Sequence, residues 1–255
     1  MESDTFISHL VELRQRLMRA LGAVLVLFVA LLVWPDAGAI YDFLAAPLMQ
    51  ALPQGAKMIA TGVVTPFVVP MKVTAMVAFM LALPYVLYQA WSFVAPGLYE
   101  HEKKLALPII VASTLLFFLG VAFCYYFVFG RVFFFINQFA PKSITPAPDI
   151  EAYLNFVMTM FIAFGLAFEI PIVVIILVRA GVVSVAKLRD ARPYVIVGVF
   201  VVAAVVTPPD VLSQLMLALP MCLLYEAGLM FARFAERRAH EKTEDEKPDR
   251  SAVSP

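Results

Sequence analysis

Charge is scarce in this chain. Lys, Arg, Asp and Glu make up 15% of its 255 residues, against about 25% in a soluble globular domain. Neither sign prevails: nineteen basic and nineteen acidic side chains cancel. No global field therefore recruits a nucleic acid or another polyanion. Cysteine is nearly absent. Cys124 and Cys222 stand apart inside apolar runs, which gives no disulfide framework and no metal site. The three histidines, His9, His101 and His240, lie outside the apolar runs and far from one another. There is no G-x-S-x-G stretch and no pair of aspartates inside an apolar run. An intramembrane protease or metalloenzyme would lack its reacting groups. The expectation is a protein that is not an enzyme and holds no cofactor or metal.

Apolar residues are abundant: 62% of the chain is hydrophobic and mean hydropathy is +0.88. A bilayer core of about 30 Å needs roughly 20 apolar residues as a helix. In lipid every backbone group must bond internally, so each long apolar run reads as a helix. Six spans result, at about 17–35, 67–95, 105–130, 152–179, 194–207 and 211–231. Strands alternating apolar and polar residues are missing, which argues against a barrel. The fold expected is an all-α polytopic membrane protein with one transmembrane domain over residues 1–235. Residues 236–255 form a charged tail with no apolar face, expected to be disordered.

The basic residues orient the spans. Fifteen of them fall on one side: Arg14, Arg16 and Arg19 before span one, Lys103 and Lys104 after span two, Arg179, Lys187, Arg189 and Arg192 after span four, and six from Arg233 to Arg250. Lys57, Lys72, Arg131 and Lys142 remain for the other side. By the positive-inside rule both termini are cytoplasmic. Span one is basic and then apolar, as a secretory signal is, but five spans follow it and no convincing cleavage site does.

The loops add detail. In the external segment 36–66, Ile40, Phe43, Leu44, Leu48 and Leu52 recur at near-helical spacing, broken by Pro47, which predicts a short interfacial helix. Span three overruns the membrane through an aromatic stretch, 132–139. Spans five and six are joined only by Thr207-Pro208-Pro209-Asp210, and Tyr194–Thr207 rises about 21 Å as a helix, short of the hydrocarbon thickness. Pro70, Pro84, Pro108, Pro171 and Pro220 predict bent helices around a concave face, or are the prolines common in membrane helices.

Few residues in these runs carry chemistry. Glu169 sits deep in span four, where an ionisable group costs about 2.5–3.5 kcal/mol on insertion scales. It reads as a contact for a partner helix, as a proton site, or as a protonated Glu facing the bundle interior. Gln89 and Gln214 are isolated polar residues expected to hydrogen-bond between helices, and Gln214 is also a candidate partner contact. Glu226 is expected to pair with a basic residue or reach the interface. Glu12 and Glu102 are acids set among cytoplasmic positive charge. A carboxylate takes an arginine fork through two parallel bonds, so two of them would receive two arginines. The alternative is that both are ordinary interface charges.

Several stretches together resemble the TatC family, the multispanning receptor subunit of the twin-arginine protein translocase. They are H-L-V-E-L-R-Q-R-L at His9–Leu17, A-P-L at Ala46–Leu48, P-Q-G-A-K-M-I-A-T at Pro53–Thr61, Y-Q-A-W-S-F-V-A-P-G-L-Y at Tyr88–Tyr99, F-G-L-A-F-E-I-P at Phe164–Pro171, R-P-Y at Arg192–Tyr194 and T-P-P-D at Thr207–Asp210. The resemblance spans about residues 6–238. It implies a bacterial inner-membrane protein that binds twin-arginine signal peptides of folded cargo and works with TatA-like and TatB-like single-span subunits. The proton-motive force would drive export, and the chain has no P-loop. By motif position Glu12 and Glu102 would contact the arginine pair, with Arg14 and Phe93 shaping that site. Glu169 would face partner helices. Pro47 and Asp210 would be sensitive outer-face positions. Glu100 leaves open which acid makes the second contact, and a homo-oligomer within the receptor complex is compatible with the pattern. The alternative function is a six-span proton-coupled secondary transporter using Glu169; it expects internal repeats, and none is convincing.

The charge split makes a test. In whole cells, Lys57→Cys and Lys142→Cys should react with an impermeant maleimide while Lys187→Cys stays unlabelled; the reverse pattern would invert the orientation.

Overall fold

The computed structural model describes residues 2–52, 57–94, 103–139, 147–179, 181–207 and 211–245. Among these the chain is helical, apart from one isolated parallel bridge between Ile59 and Asp149. The order is α1 (Glu2–Val33), α2 (Ala37–Ala51), α3 (Thr65–Val94), α4 (Lys103–Phe123), a π-helical turn (Cys124–Val128), α5 (Phe129–Phe139), α6 (Ile150–Phe168), α7 (Ile170–Arg179), α8 (Val185–Asp190), α9 (Arg192–Val206) and α10 (Val211–Asp245). Five stretches are long and apolar enough to cross a membrane: Ser8–Val33, Thr65–Ala90, Leu107–Gln138, Ile150–Arg179 and Val211–Phe234. The sixth apolar helix, α9, has 15 residues, a rise of about 22 Å. The all-helical expectation holds, and so does the short final hairpin.

Some boundaries move. α1 takes in the polar run before Leu17, along which Glu12 and Arg16, four residues apart, pair. α10 continues to Asp245, so residues 236–245 are helical where a disordered tail was expected. That segment is rich in Glu, Arg, Ala and Lys and meets no helix breaker before Pro248. Pro47 does not break the external helix, since α2 runs through it. Pro171 has the opposite effect. It offers no N–H to Ala167, and the chain tightens there, Glu169 N–H donating to Leu166 O at 3.1 Å. Span four is thus divided into α6 and α7 at Glu169.

The core follows from helix contacts. Phe129, Phe161, Phe164, Leu154 and Met160 are fully buried, and Phe129 packs rings with Phe133, Phe156 and Phe161. α4 and α6 approach closely because Gly120 and Gly165 carry no Cβ. A Cβ on Gly165 would strike the Phe117 ring, and one on Gly120 would strike the Phe164 carbonyl and the Phe168 ring. A smaller cluster, including Val174, Val178, Tyr225 and Leu229, joins α7, α8 and α10. α1 is the outlier: its span is 6% buried, against 50% for Ile150–Arg179. It leans on α3 and leaves most of its apolar surface to lipid.

At the end of the bundle where α2 lies, opposite the start of α1, one carboxylate joins two loops. Asp149 Oδ1 accepts from Glu151 N–H and Ala152 N–H, both at 3.0 Å, which caps α6. Its Oδ2 accepts from Thr61 N–H at 3.1 Å and Thr61 Oγ1 at 2.8 Å. Ile59 N–H donates to Pro148 O and Ile150 N–H to Ile59 O, forming the bridge. These donors, led by the Ala152 N–H, hold the Asp149 carboxyl below its usual range. Because the folded value is lowered, the clasp contributes above the unfolded carboxylate pKa of about 3.9. It is lost as pH falls through the still lower folded value. Hydrogen exchange at Thr61 and Ala152 should therefore be flat from neutral pH to about 5 after correction for intrinsic rates, then rise in acid. Asp149→Asn should exchange faster at neutral pH, and equal exchange in that variant would remove the clasp.

Candidate functional site

α1 and α3 run side by side in opposite directions, which brings the start of α1 to the end of α3. There His9 stacks on Phe93, with ring centroids 4.2 Å apart and planes at 21°. Glu12 lies one turn further along α1. Its Oε1 accepts from Arg16 Nε at 2.9 Å and from Arg16 Nη2 at 2.6 Å. Its Oε2 faces His9 Nδ1 at 4.0 Å, too long for a hydrogen bond. The Glu12 side chain is 37% exposed and that of Arg16 22%. The site is thus a half-buried carboxylate that already holds one guanidinium through one oxygen, beside an aromatic stack. Arg14 points to solvent.

Sequence reading overlooked one feature of this corner. Arg16 is the partner of Glu12, and the Glu-then-Arg spacing of four on a helix was the available signal. Gln89, one turn before Phe93 on the same face of α3, is 5% exposed and its Oε1 is buried with no hydrogen-bond partner. Among the described residues, no interhelical donor reaches that oxygen. Glu102 and its neighbour Glu100 lie outside the described residues, and so does Asp210.

The other candidates are spread along the bundle. Glu169 is half-buried at the α6–α7 break. Ser113 on α4 hydrogen-bonds to its carboxyl, while Oε1 is buried without a partner. Gln214 donates from Nε2 to Phe200 O at 3.2 Å, which ties α10 to α9. Glu226 pairs with Arg192, Oε2 to Nη2 at 2.6 Å, across the same hairpin. Pro47 sits within α2, on the face of the molecule that carries the Asp149 clasp. The candidates therefore do not form one site: Glu12, Arg14 and Phe93 share the α1–α3 end, and Glu169, Gln214 and Pro47 lie elsewhere.

The family of Sec-independent protein translocase proteins, TatC, matches residues 8–220. The chain belongs to the TatC family. The TatC protein of Haemophilus influenzae is 50% identical over 240 residues, covering 94% of this chain and 93% of that one. The TatC protein of Azotobacter chroococcum is 51% identical over 232 residues, covering 91% and 90%. A solved structure described as the twin arginine translocase receptor TatC superposes with a TM-score of 0.78 at 36% identity, covering 89% of this chain and 99% of that one. TatC proteins are translocase subunits rather than enzymes, so the chain is a membrane protein of protein transport. The transporter alternative built on Glu169 gives way to this assignment.

The Glu12–Arg16 pair itself is weak, since exposed pairs four apart on a helix contribute about 0.3–0.5 kcal/mol. Arg16→Gln should keep the helix content and shift thermal unfolding only slightly. A collapse of α1 in circular dichroism would make the pair a structural necessity.

Proposed function

We propose that this TatC protein is the receptor for twin-arginine signal peptides, read at the α1–α3 end. Glu12 takes one arginine of the signal and Glu102 the other, with Arg14 and Phe93 bounding the pocket. The observation that carries this reading is the Glu12–Arg16 geometry. A carboxylate at that place holds a guanidinium through two donors on one oxygen, and its second oxygen faces His9 Nδ1 at 4.0 Å, beyond hydrogen-bond distance. Lysine cannot reproduce the fork of an arginine, which supports discrimination between Arg-Arg and Lys-Lys.

In this reading both termini face the cytoplasm of a bacterial inner membrane, where signals arrive, and the fifteen-to-four distribution of basic residues supports that orientation. TatA-like and TatB-like single-span subunits dock along the bundle. Glu169 offers its buried oxygen to a polar group on such a helix, supported by the cost of leaving it unpaired. Gln214, on the α9–α10 hairpin, serves in the same role, although its amide already serves α9. Pro47 and Asp210 belong to the outer face. The proton-motive force drives export of folded cargo.

Affinity measurements with Arg-Arg and Lys-Lys signal peptides test the receptor site. A charge-assisted hydrogen bond contributes about 1.5–3 kcal/mol, so Glu12→Ala should weaken Arg-Arg binding roughly ten- to a hundredfold. Glu102→Ala should do the same, and Glu100→Ala less. A folded Glu12→Ala, Glu102→Ala protein that still prefers Arg-Arg would refute the assignment. For the partner contact, Glu169→Ala should weaken crosslinks to a TatA-like or TatB-like subunit while leaving peptide affinity intact. Unchanged crosslinks would leave Glu169 a purely internal residue.

A further inference from the structure

Pro47 has no N–H, so the carbonyl four residues earlier in α2, that of Phe43, has no helical donor. A helix that runs on through a proline must find another partner for that oxygen, above all near a membrane. The partner comes from the π-helical turn. Tyr125 donates its hydroxyl to Phe43 O at 2.7 Å, and its ring stacks on that of Phe43 with centroids 5.1 Å apart and planes at 13°. The next carbonyl, Leu44 O, receives the hydroxyl of Tyr153 on α6, also at 2.7 Å. Tyr153 is 6% exposed. In the last turn of α2, where carbonyls lack helical donors, Ala51 O receives Asn137 Nδ2 from α5 at 3.0 Å.

The geometry points to Tyr125 as the surrogate donor for the carbonyl that Pro47 frees, and to Tyr125 and Tyr153 as positioning residues that seat α2 on the bundle for transport. The π turn is part of the device. A widened turn redirects one side chain within a long helix, and the side chain at its second position is Tyr125. Pro47 thus acts by creating an acceptor on the side of α2 that the π turn and α6 reach with Tyr125 and Tyr153. Tyr125 responds to that acceptor alone. Tyr153 binds a carbonyl whose helical donor, Leu48 N–H, does not depend on Pro47. The inference goes beyond the receptor reading and does not rest on it.

A double-variant cycle tests it, because Pro47→Ala restores the missing N–H. Hydrogen exchange of α2 amides in the purified full chain is the primary readout, with export of a twin-arginine reporter as the second. Tyr125→Phe should speed α2 exchange about two- to tenfold, the factor expected for one net hydrogen bond. In the Pro47→Ala background the same substitution should change exchange by less than about half that factor. Tyr153→Phe should have the same effect in both backgrounds. Export should fall with Tyr125→Phe in the native background and show the same dependence on Pro47. An equal effect of Tyr125→Phe with and without Pro47, or none in the native chain, overturns the inference. Because exchange is measured without any signal peptide, failure of the receptor assignment leaves this outcome readable.

Discussion

A backbone carbonyl or amide in hydrocarbon has no water to turn to, and most of this structure answers that constraint. It makes every long apolar run a helix. It also gives the prolines inside those helices consequences beyond a bend. At Pro171 the tightened turn through Glu169 N–H supplies part of the answer, and the helix divides there. At Pro47 the answer is external, a phenol from the π turn, and the helix continues. At Pro171 the described donor is thus local, and at Pro47 it crosses the interface. Glu169 lies at the tightened turn, so the ionisable residue of span four sits where the helix is already irregular.

Close approach is the second condition. α4 and α6 can meet only because Gly120 and Gly165 leave room for Phe117 and Phe168, and that contact carries Ser113 towards Glu169. Side chains then finish what packing begins. At the far end, Tyr125, Tyr153, Asn137 and the Asp149 carboxylate reach across to α2 and to the 57–61 segment. At the near end the described side-chain contacts are the His9–Phe93 stack and the Glu12–Arg16 pair. α1 rests on α3 there, with Arg14 exposed.

The sequence was informative where a single segment carries the signal. Apolar runs bounded by charge placed the spans, the short Arg192–Val206 helix was visible from its length, and Glu12 stood out as an acid among basic residues. The Glu12–Arg16 pair was equally local, and its spacing was legible though unused. What stayed hidden depends on partners distant along the chain: Tyr125 meets Phe43 across 82 positions and Tyr153 meets Leu44 across 109. A proline in an amphipathic stretch reads as a break unless the remote donor is known. Gln214 shows the same limit. Its polarity in a span was plain, but its acceptor, Phe200 O across the hairpin, was not. Residues 236–245 were misread for another reason: charge without an apolar face argues for disorder, yet helix propensity carries α10 onward to Asp245.

The central claim is that recognition occurs at the α1–α3 end, which carries Glu12 and the His9–Phe93 stack. The most direct measurement is a photocrosslink from a benzoylphenylalanine at position 93, in membranes, to a twin-arginine signal peptide labelled beside its arginine pair. The account predicts a strong crosslink to the Arg-Arg peptide, a much weaker one to the Lys-Lys peptide, and little from the same probe placed at Val202 on α9. Equal crosslinking to both peptides at position 93, or a stronger Arg-Arg crosslink at Val202, would contradict it.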